Sequence, residues 1–382
     1  MIPVVNKKKR VPDVVQEAEP LNPYDSMVWS NPATGRIKVF HEKRNQWLDA
    51  SYPKAVDPFG TGYIVGGAYY ANSQHNAVTT IDIYKFAVDT QLTTHGTLDQ
   101  GRWQGAGVSS TRYGYVMFMY AIVRMPYGTD SLNAVGSIID NYYQNPASNV
   151  TGVLNSSKHG YRCGGFITQN GNTYSVTTIA ELTFADETAA EQYHLLVDTS
   201  RCGGVSSTQK GFICGGCRYT PSRVFTSSIQ TVAFAAMDST WTSDLTITAE
   251  RQATSGGSAS TLRGYTYLTY NTGSGTVSTI DKLDFSSHTS AVTTSNLSKP
   301  GRPMGTAMSS TAKGYCCMGY YPEANAGDPG SLQDPWKDID ALYFPNDGSA
   351  ATLQATSDNG GRYWVCDLDT ASAFHKHNFQ LI

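Results

Sequence analysis

A glycine followed by an aromatic residue recurs six times along this chain. The copies are Gly62-Tyr63, Gly114-Tyr115, Gly160-Tyr161, Gly211-Phe212, Gly264-Tyr265 and Gly314-Tyr315, at intervals of 52, 46, 51, 53 and 50 residues. A fixed period of that length marks an architecture built by copying one supersecondary unit. Two more patterns keep step with it. Ile-x-x-Leu/Val/Tyr-x-Phe follows at Ile81 to Phe86, Ile179 to Phe184, Ile229 to Phe234, Ile280 to Phe285 and Ile339 to Phe344, and the second repeat carries a degraded copy at Ile138 to Tyr143. An arginine and then a Ser/Thr run precede the pair: Arg102 with Ser109 to Thr111, Arg201 with Ser206 to Thr208, Arg251 with Ser258 to Thr261, and Arg302 with Ser309 to Thr311. A glycine doublet follows three of the pairs, at Gly66-Gly67, Gly164-Gly165 and Gly215-Gly216. The sixth repeat keeps only Gly319, and the second and fifth have lost the doublet.

Each pattern has a strand reading. In Gly-Tyr-Ile-Val-Gly-Gly the side chains of Tyr63 and Val65 share one face, as do Tyr161 and Cys163, Phe212 and Cys214, and Tyr315 and Cys317. The glycine before the aromatic suits a hairpin turn, the Ser/Thr run supplies turn hydroxyls, and the doublet ends the strand where other backbone comes close. One unit of about 50 residues holds about four strands and cannot bury both sheet faces alone, so units must stack radially. Abundant Gly (36) and Tyr (24), with no long stretch of helical period, agree with an all-β chain.

The doublet, the aromatic and the period resemble the kelch family of β-propellers over roughly residues 55–382. The later Tyr and Trp of the kelch repeat have no clear counterpart. The expected fold is therefore an all-β, six-bladed kelch-like β-propeller. Gly361-Arg362 and the apolar run Tyr363 to Cys366 would supply the strand that the first repeat lacks. A seven-bladed reading would need more than half a blade from residues 362–382, which is too short.

Before the repeats, residues 1–24 hold four prolines, the basic run Lys7 to Arg10 and the apolar pairs Val4-Val5 and Val14-Val15. They read as an extended arm with no core of its own. Residues 25–54 form a small β anchor segment: Met27-Val28-Trp29, Arg36 to Phe40 and Gln46-Trp47-Leu48 read as three strands. Trp29-x-Asn31-x-x-Thr34-Gly35-x-x-Lys38-Val39-Phe40, with Trp47 after it, is similar to a short β motif near the virion-attached end of tailed-bacteriophage appendage proteins. That resemblance implies a virion structural protein, made in the host cytoplasm. It would be held to other virion proteins through Val4, Val5, Val14, Val15, Trp29 and Trp47, assembled as a homo-oligomer, with the propeller displayed toward a host glycan or receptor. The alternative is a cellular kelch-type adaptor or glycan-binding propeller, although no adaptor domain accompanies the repeats in this sequence.

Chemistry is sparse. Charged residues are 15% of the chain and the net charge is −3, which disfavours general nucleic-acid binding; no apolar run has the length of a membrane span. Cys214-x-x-Cys217 looks like half a zinc site, but Cys214 shares its repeat position with Cys163 and Cys317, which marks a buried strand position. Copper-radical oxidases among kelch-like propellers need two His, a Tyr and a Tyr–Cys pair; the histidines at 41, 75, 95, 159, 194, 288, 375 and 377 offer no matching set. No catalytic residue, metal or cofactor is expected. The repeated arginines are expected to bond carbonyl oxygens of the adjacent blade, with an axial anion-binding ring as the alternative. Recognition is expected on two long connections between second and third strands: Ala121 to Gly136, carrying Arg124 and Tyr127, and Tyr320 to Lys337, carrying Tyr320, Tyr321 and Trp336.

Overall fold

Each glycine-aromatic pair lies in the second strand of a four-stranded antiparallel sheet, and the described residues hold six such sheets. In the computed structural model the described residues are 14–15, 28–30, 37–41, 46–49, 61–71, 74–86, 93–102, 105–110, 113–118, 121–126, 137–140, 152–219, 223–237, 242–252, 257–267, 270–271, 275–298, 305–310, 312–319, 338–344, 352–356 and 366–369, with side chains described only between Thr61 and Phe344. They are all-β: apart from 3-10 turns at Phe234–Ala236 and at Phe344 no helix occurs among them. The chain divides into two contact units, Met1–Pro58 with Phe379–Ile382, and Phe59–Asn378.

In the smaller unit Val28–Ser30, Ile37–His41 and Gln46–Asp49 form an antiparallel meander where three strands were expected. Val14–Val15 adds a fourth strand, parallel to the first, with Val14 opposite Trp29. The arm and the β segment, read as separate stretches, therefore share one sheet.

In the larger unit, sheet three shows the pattern: Gly152–Asn155, His159–Cys163, Thr178–Thr183 and Ala189–His194, each paired with the next. Sheet four (Gly203–Ser206, Lys210–Cys214, Ser228–Ala233, Thr242–Thr246) and sheet five (Gly257–Ala259, Arg263–Thr266, Thr279–Asp284, Thr289–Asn296) repeat it. Sheet six does so with Thr306–Ser309, Lys313–Cys317, Asp338–Tyr343 and Thr352–Thr356. Sheet one takes its first strand from the far end of the sequence: Cys366–Asp369 pairs with Thr61–Val65, followed by Thr80–Lys85 and Thr93–Thr97. The first strands neighbour one another in order from sheet two to sheet six, and Cys366–Asp369 lies beside those of both sheet six and sheet two.

Sheet two departs from expectation. Its strands are Ala106–Ser109, Tyr113–Met117, Ala121–Pro126 and Ser137–Asp140. The third-strand motif is therefore Ile122-x-x-Met125-x-Tyr127, because Ile122 faces Met117 as Ile179 faces Cys163. Ile138 belongs to the fourth strand. The supposed long connection begins as the third strand, Ala121–Pro126, and this sheet has the shortest second-to-third connection of the six.

The core lies in the seams between consecutive sheets, one apolar cluster per seam, including a seam between sheets six and one. The motif aromatics meet there. Tyr115 stacks on Phe184, Tyr161 on Phe234, Phe212 on Phe285, and Tyr265 on Phe344 at 5.2–5.8 Å between centroids, and Tyr315 stacks on Phe86 at 4.8 Å. Each stack adds about 0.5–1.5 kcal/mol beyond area burial. At the remaining seam, Tyr63 packs with Met125.

The glycine before the aromatic is not a turn residue. A Cβ on Gly160 would enter Val108 of the preceding sheet's first strand, and one on Gly264 would come to 2.6 Å of Val205. The glycine is a seat for the neighbouring sheet. The turn is made by the serine of the Ser/Thr run: Ser156 N–H donates to the His159 carbonyl and His159 N–H donates to Ser156 Oγ, both at 2.9 Å. Ser110, Ser207, Ser260 and Ser310 build the same turn.

Candidate functional site

Buried polar residues fasten one sheet to the next. Asp340 Oδ2 accepts from Ser298 N–H at 2.8 Å and its Oδ1 from the Ser298 hydroxyl at 2.7 Å; Asp281 Oδ1 accepts in the same way from Thr248 N–H and hydroxyl. Gln230 makes a two-way bond with the Val197 backbone, 3.0 Å each way. All three follow the isoleucine of the third strand, beside a register shift that recurs in all six sheets. In sheet three the polar group changes strand: Ala180 takes the position, and Arg162 opposite it donates to the Phe118 carbonyl at 3.4 Å. These residues were missed in the sequence because the motif was written Ile-x-x; the signal was Ile-Asp at 81–82, 280–281 and 339–340 and Ile-Gln at 229–230. A second polar series runs along the first strands, where Ser109 N–H donates to Asn155 Oδ1 at 2.9 Å and Asn155 N–H to Ser206 Oγ at 3.0 Å. Desolvated hydrogen bonds of this kind hold relative sheet position, because leaving either partner unmade costs about 1–3 kcal/mol.

Of the expected recognition residues, only Arg124 has a described side chain, and it sits in a strand, not a loop. Its Nη1 donates to both oxygens of Glu187 at 2.9 Å, and its guanidinium lies 4.9 Å from the Tyr113 ring centroid. Tyr115 donates its hydroxyl to the same carboxylate at 3.1 Å. The Glu187 bond raises the pKa of Arg124, while burial first and Glu187 second raise that of Tyr115. The arrangement ties sheet two to sheet three. Tyr127, Tyr320, Tyr321 and Trp336 lie outside the described residues, as do Val4 and Val5 and the side chains of Val14, Val15, Trp29 and Trp47.

The face that the sequence did not reveal is built by β-ribbons. Between second and third strands, sheets one, three and four extrude two-stranded hairpins: Ala68–Ala71 with Gln74–Ala77, Phe166–Gln169 with Asn172–Ser175, and Cys217–Tyr219 with Arg223–Phe225. Sheet five extrudes Tyr270–Asn271 with Gly275–Thr276, to which Arg251–Gln252 pairs. The doublet starts the first three. Gly164 and Gly165 take φ of +73° and +115°, a region that costs a side chain, and Gly165 N–H donates to the Thr199 carbonyl at 2.8 Å. In sheet six Met318 and Gly319 hold the same conformations, φ +57° and +110°, so methionine stands in for the first glycine. Tyr69, Tyr174 and Val224 are exposed on the ribbons.

The repeated arginines are not equivalent. The carbonyl of Arg102 accepts from Gly67 N–H, and the matching carbonyl in sheet three's seam belongs to Thr199, two residues before Arg201. The Arg102 guanidinium bonds Asp99 at 3.1 Å and lies 5.5 Å from the Phe118 ring. The side chains of Arg251, Arg302 and Arg362 are outside the described residues.

Cys163, Cys214 and Cys317 are buried at one repeat position, and Cys202, Cys217 and Cys316 are buried as well, all as free thiols. Burial pushes Cys202 up to about 12 and Cys163 well above its ordinary range. Among the described residues no group of three or more His, Cys, Asp or Glu is placed to hold a metal, and no helix is long and apolar enough to cross a membrane. A scan against protein-family models finds no match to this chain, and neither does a search of the curated proteins.

Proposed function

We propose that residues Phe59–Asn378 form a six-bladed kelch-like propeller, and that the chain is a non-enzymatic structural protein of a tailed-bacteriophage virion. In this reading the N-terminal unit attaches it to other virion proteins, and the ribbon face is displayed toward a host glycan or receptor. The observation that carries the reading is closure. The strand Cys366–Asp369 completes the sheet of the first repeat, and Phe86 stacks on Tyr315 as the motif aromatics do at four other seams. Closure by the C-terminal strand ties the two ends of the repeat array together, as rigid display requires. The virion role rests on the Trp29 to Trp47 motif, whose strands form a sheet in a unit of their own.

The test is to raise antibodies against the chain and label purified phage particles from its source, alongside particles assembled with residues 2–24 deleted. Full-length protein should decorate the particles at one fixed position. The truncated protein should stay folded in solution and be absent from them. Particles free of the full-length chain, or normal incorporation of the truncated one, would overturn the reading.

A further inference from the structure

Arg201 departs from the repeat in three ways. It sits two residues beyond the position that Arg102 holds, it takes φ +53°, and its Nε is buried without a hydrogen-bond partner. Its guanidinium lies 5.9 Å from the Tyr219 ring centroid, and it has no carboxylate partner among the described residues. A non-glycine residue in the left-handed region is strained, and strain of that kind gathers at sites where a side chain is held for a purpose.

What surrounds it is cationic and aromatic. Tyr219 faces Arg223 across the fourth sheet's ribbon, and the Arg223 guanidinium lies 4.9 Å from the Phe225 ring. Phe166, on the ribbon of sheet three, meets the Tyr219 ring at 5.5 Å. The ribbons are joined there, since Tyr219 N–H donates to Ser175 Oγ at 3.0 Å. Burial raises the Tyr219 phenol, while Arg201 and Arg223 pull it the other way, so both cations act on this one ring. The nearby acid, Asp198, is already held by Arg218 at 2.8 Å. Arg218 alternates with Tyr219 along its strand, so its side chain leaves from the opposite face.

We propose that Arg201, Arg223 and Tyr219 form a binding site for a carboxylate-bearing sugar on the ribbon face between sheets three and four. The guanidinium forks match a carboxylate, and the half-buried ring of Tyr219 offers an apolar face to the carbons of a pyranose beside it. A bare phosphate or sulfate would use the charges and leave the ring unused. The site stands on this seam alone, whether or not the chain belongs to a virion.

The experiment titrates the full-length protein with D-glucuronate, with N-acetylneuraminate, with glucose and with inorganic phosphate, read by calorimetry and by ligand-observed NMR. One or both acidic sugars should bind, glucose should not, and phosphate should bind at least about tenfold more weakly. Arg201→Ala should weaken the acidic sugar about tenfold or more, and Arg263→Ala, on the second strand of sheet five, should leave it unchanged. Arg223→Ala, remote from the strained backbone, carries the same expectation and keeps the test sharp if Arg201→Ala loses its fold. Phosphate binding as tight as the sugar, or sugar binding unaltered in both Arg201→Ala and Arg223→Ala, would overturn the proposal.

Discussion

Sheets two and three begin alike and diverge after five residues of their second strands. Tyr113–Met117 and His159–Cys163 both follow a serine turn, and both aromatics stack or pack toward a neighbour. After Cys163 the doublet bends the chain out of the sheet, and it returns only at Thr178 after building a ribbon. After Met117 stands Phe118, whose N–H donates to the Ala121 carbonyl at 2.8 Å, and the chain turns straight back. In sheets one, three and four two successive positive-φ glycines start the ribbon, whereas sheet five builds a ribbon without the doublet. The sheets themselves do not depend on them, since both have four strands in the same order.

The comparison breaks most severely at the seam between these two sheets. Phe184→Ala removes the ring on which Tyr115 stacks and should cost about 2–4 kcal/mol in urea unfolding. Met125→Ala, which removes a buried side chain but no ring, should cost less, by about the worth of a ring pair. Equal losses would mean that the stacks are incidental.

Gly164→Ala probes the ribbon. Its Cβ would strike the Thr199 carbonyl at a φ of +73°, so the expected cost is about 2 kcal/mol, read from the thermal midpoint. Protease cleavage should then appear first in the ribbon of sheet three and spare sheet two. Uniform cleavage would contradict the separation of ribbon from sheet.

Alkali should also distinguish the two. Sheet three carries Cys163 and packs on Cys202, which burial holds at about 12, whereas sheet two has Met117 at the cysteine position. The folded thiols stay neutral while unfolded ones ionise near their ordinary value of about 9. Stability is therefore complete below pH 9 and falls as pH rises from there toward 12. Amide exchange should accelerate first in sheets three and four; earlier loss of sheet two would refute this.

The smallest effect is expected from Arg124→Ala. The Arg124–Glu187 pair is about a third exposed, so its loss should cost at most about 1 kcal/mol.

Much of this was legible in the sequence. The three repeating motifs located the second and third strands of five sheets, because a side chain packed into an identical seam must itself recur. Sheet two was misread for a physical reason. With the doublet gone, Ile122 follows Gly114 sooner than the motif spacing elsewhere allows, and Ile138 mimicked the missing copy. The fastening acids Asp281 and Asp340 were overlooked because a buried carboxylate looks like an exposed one until its backbone donors are seen. The ribbons were hidden because strands of three or four residues carry little periodicity. Arg201 looked like one of a series, and only the bond to the Thr199 carbonyl shows that it is out of register.

The central claim is that the repeat closes on itself through its last strand. The register places Cys366 opposite Val65, so Val65→Cys sets two thiols face to face across that joint. Mild oxidation of the purified full-length variant, followed by peptide mapping, should recover Cys366 disulfide-bonded to the introduced thiol in most molecules, with the bond formed within the monomer. Recovery of Cys366 as a free thiol, or joined only to other chains, would contradict closure and the proposed propeller with it.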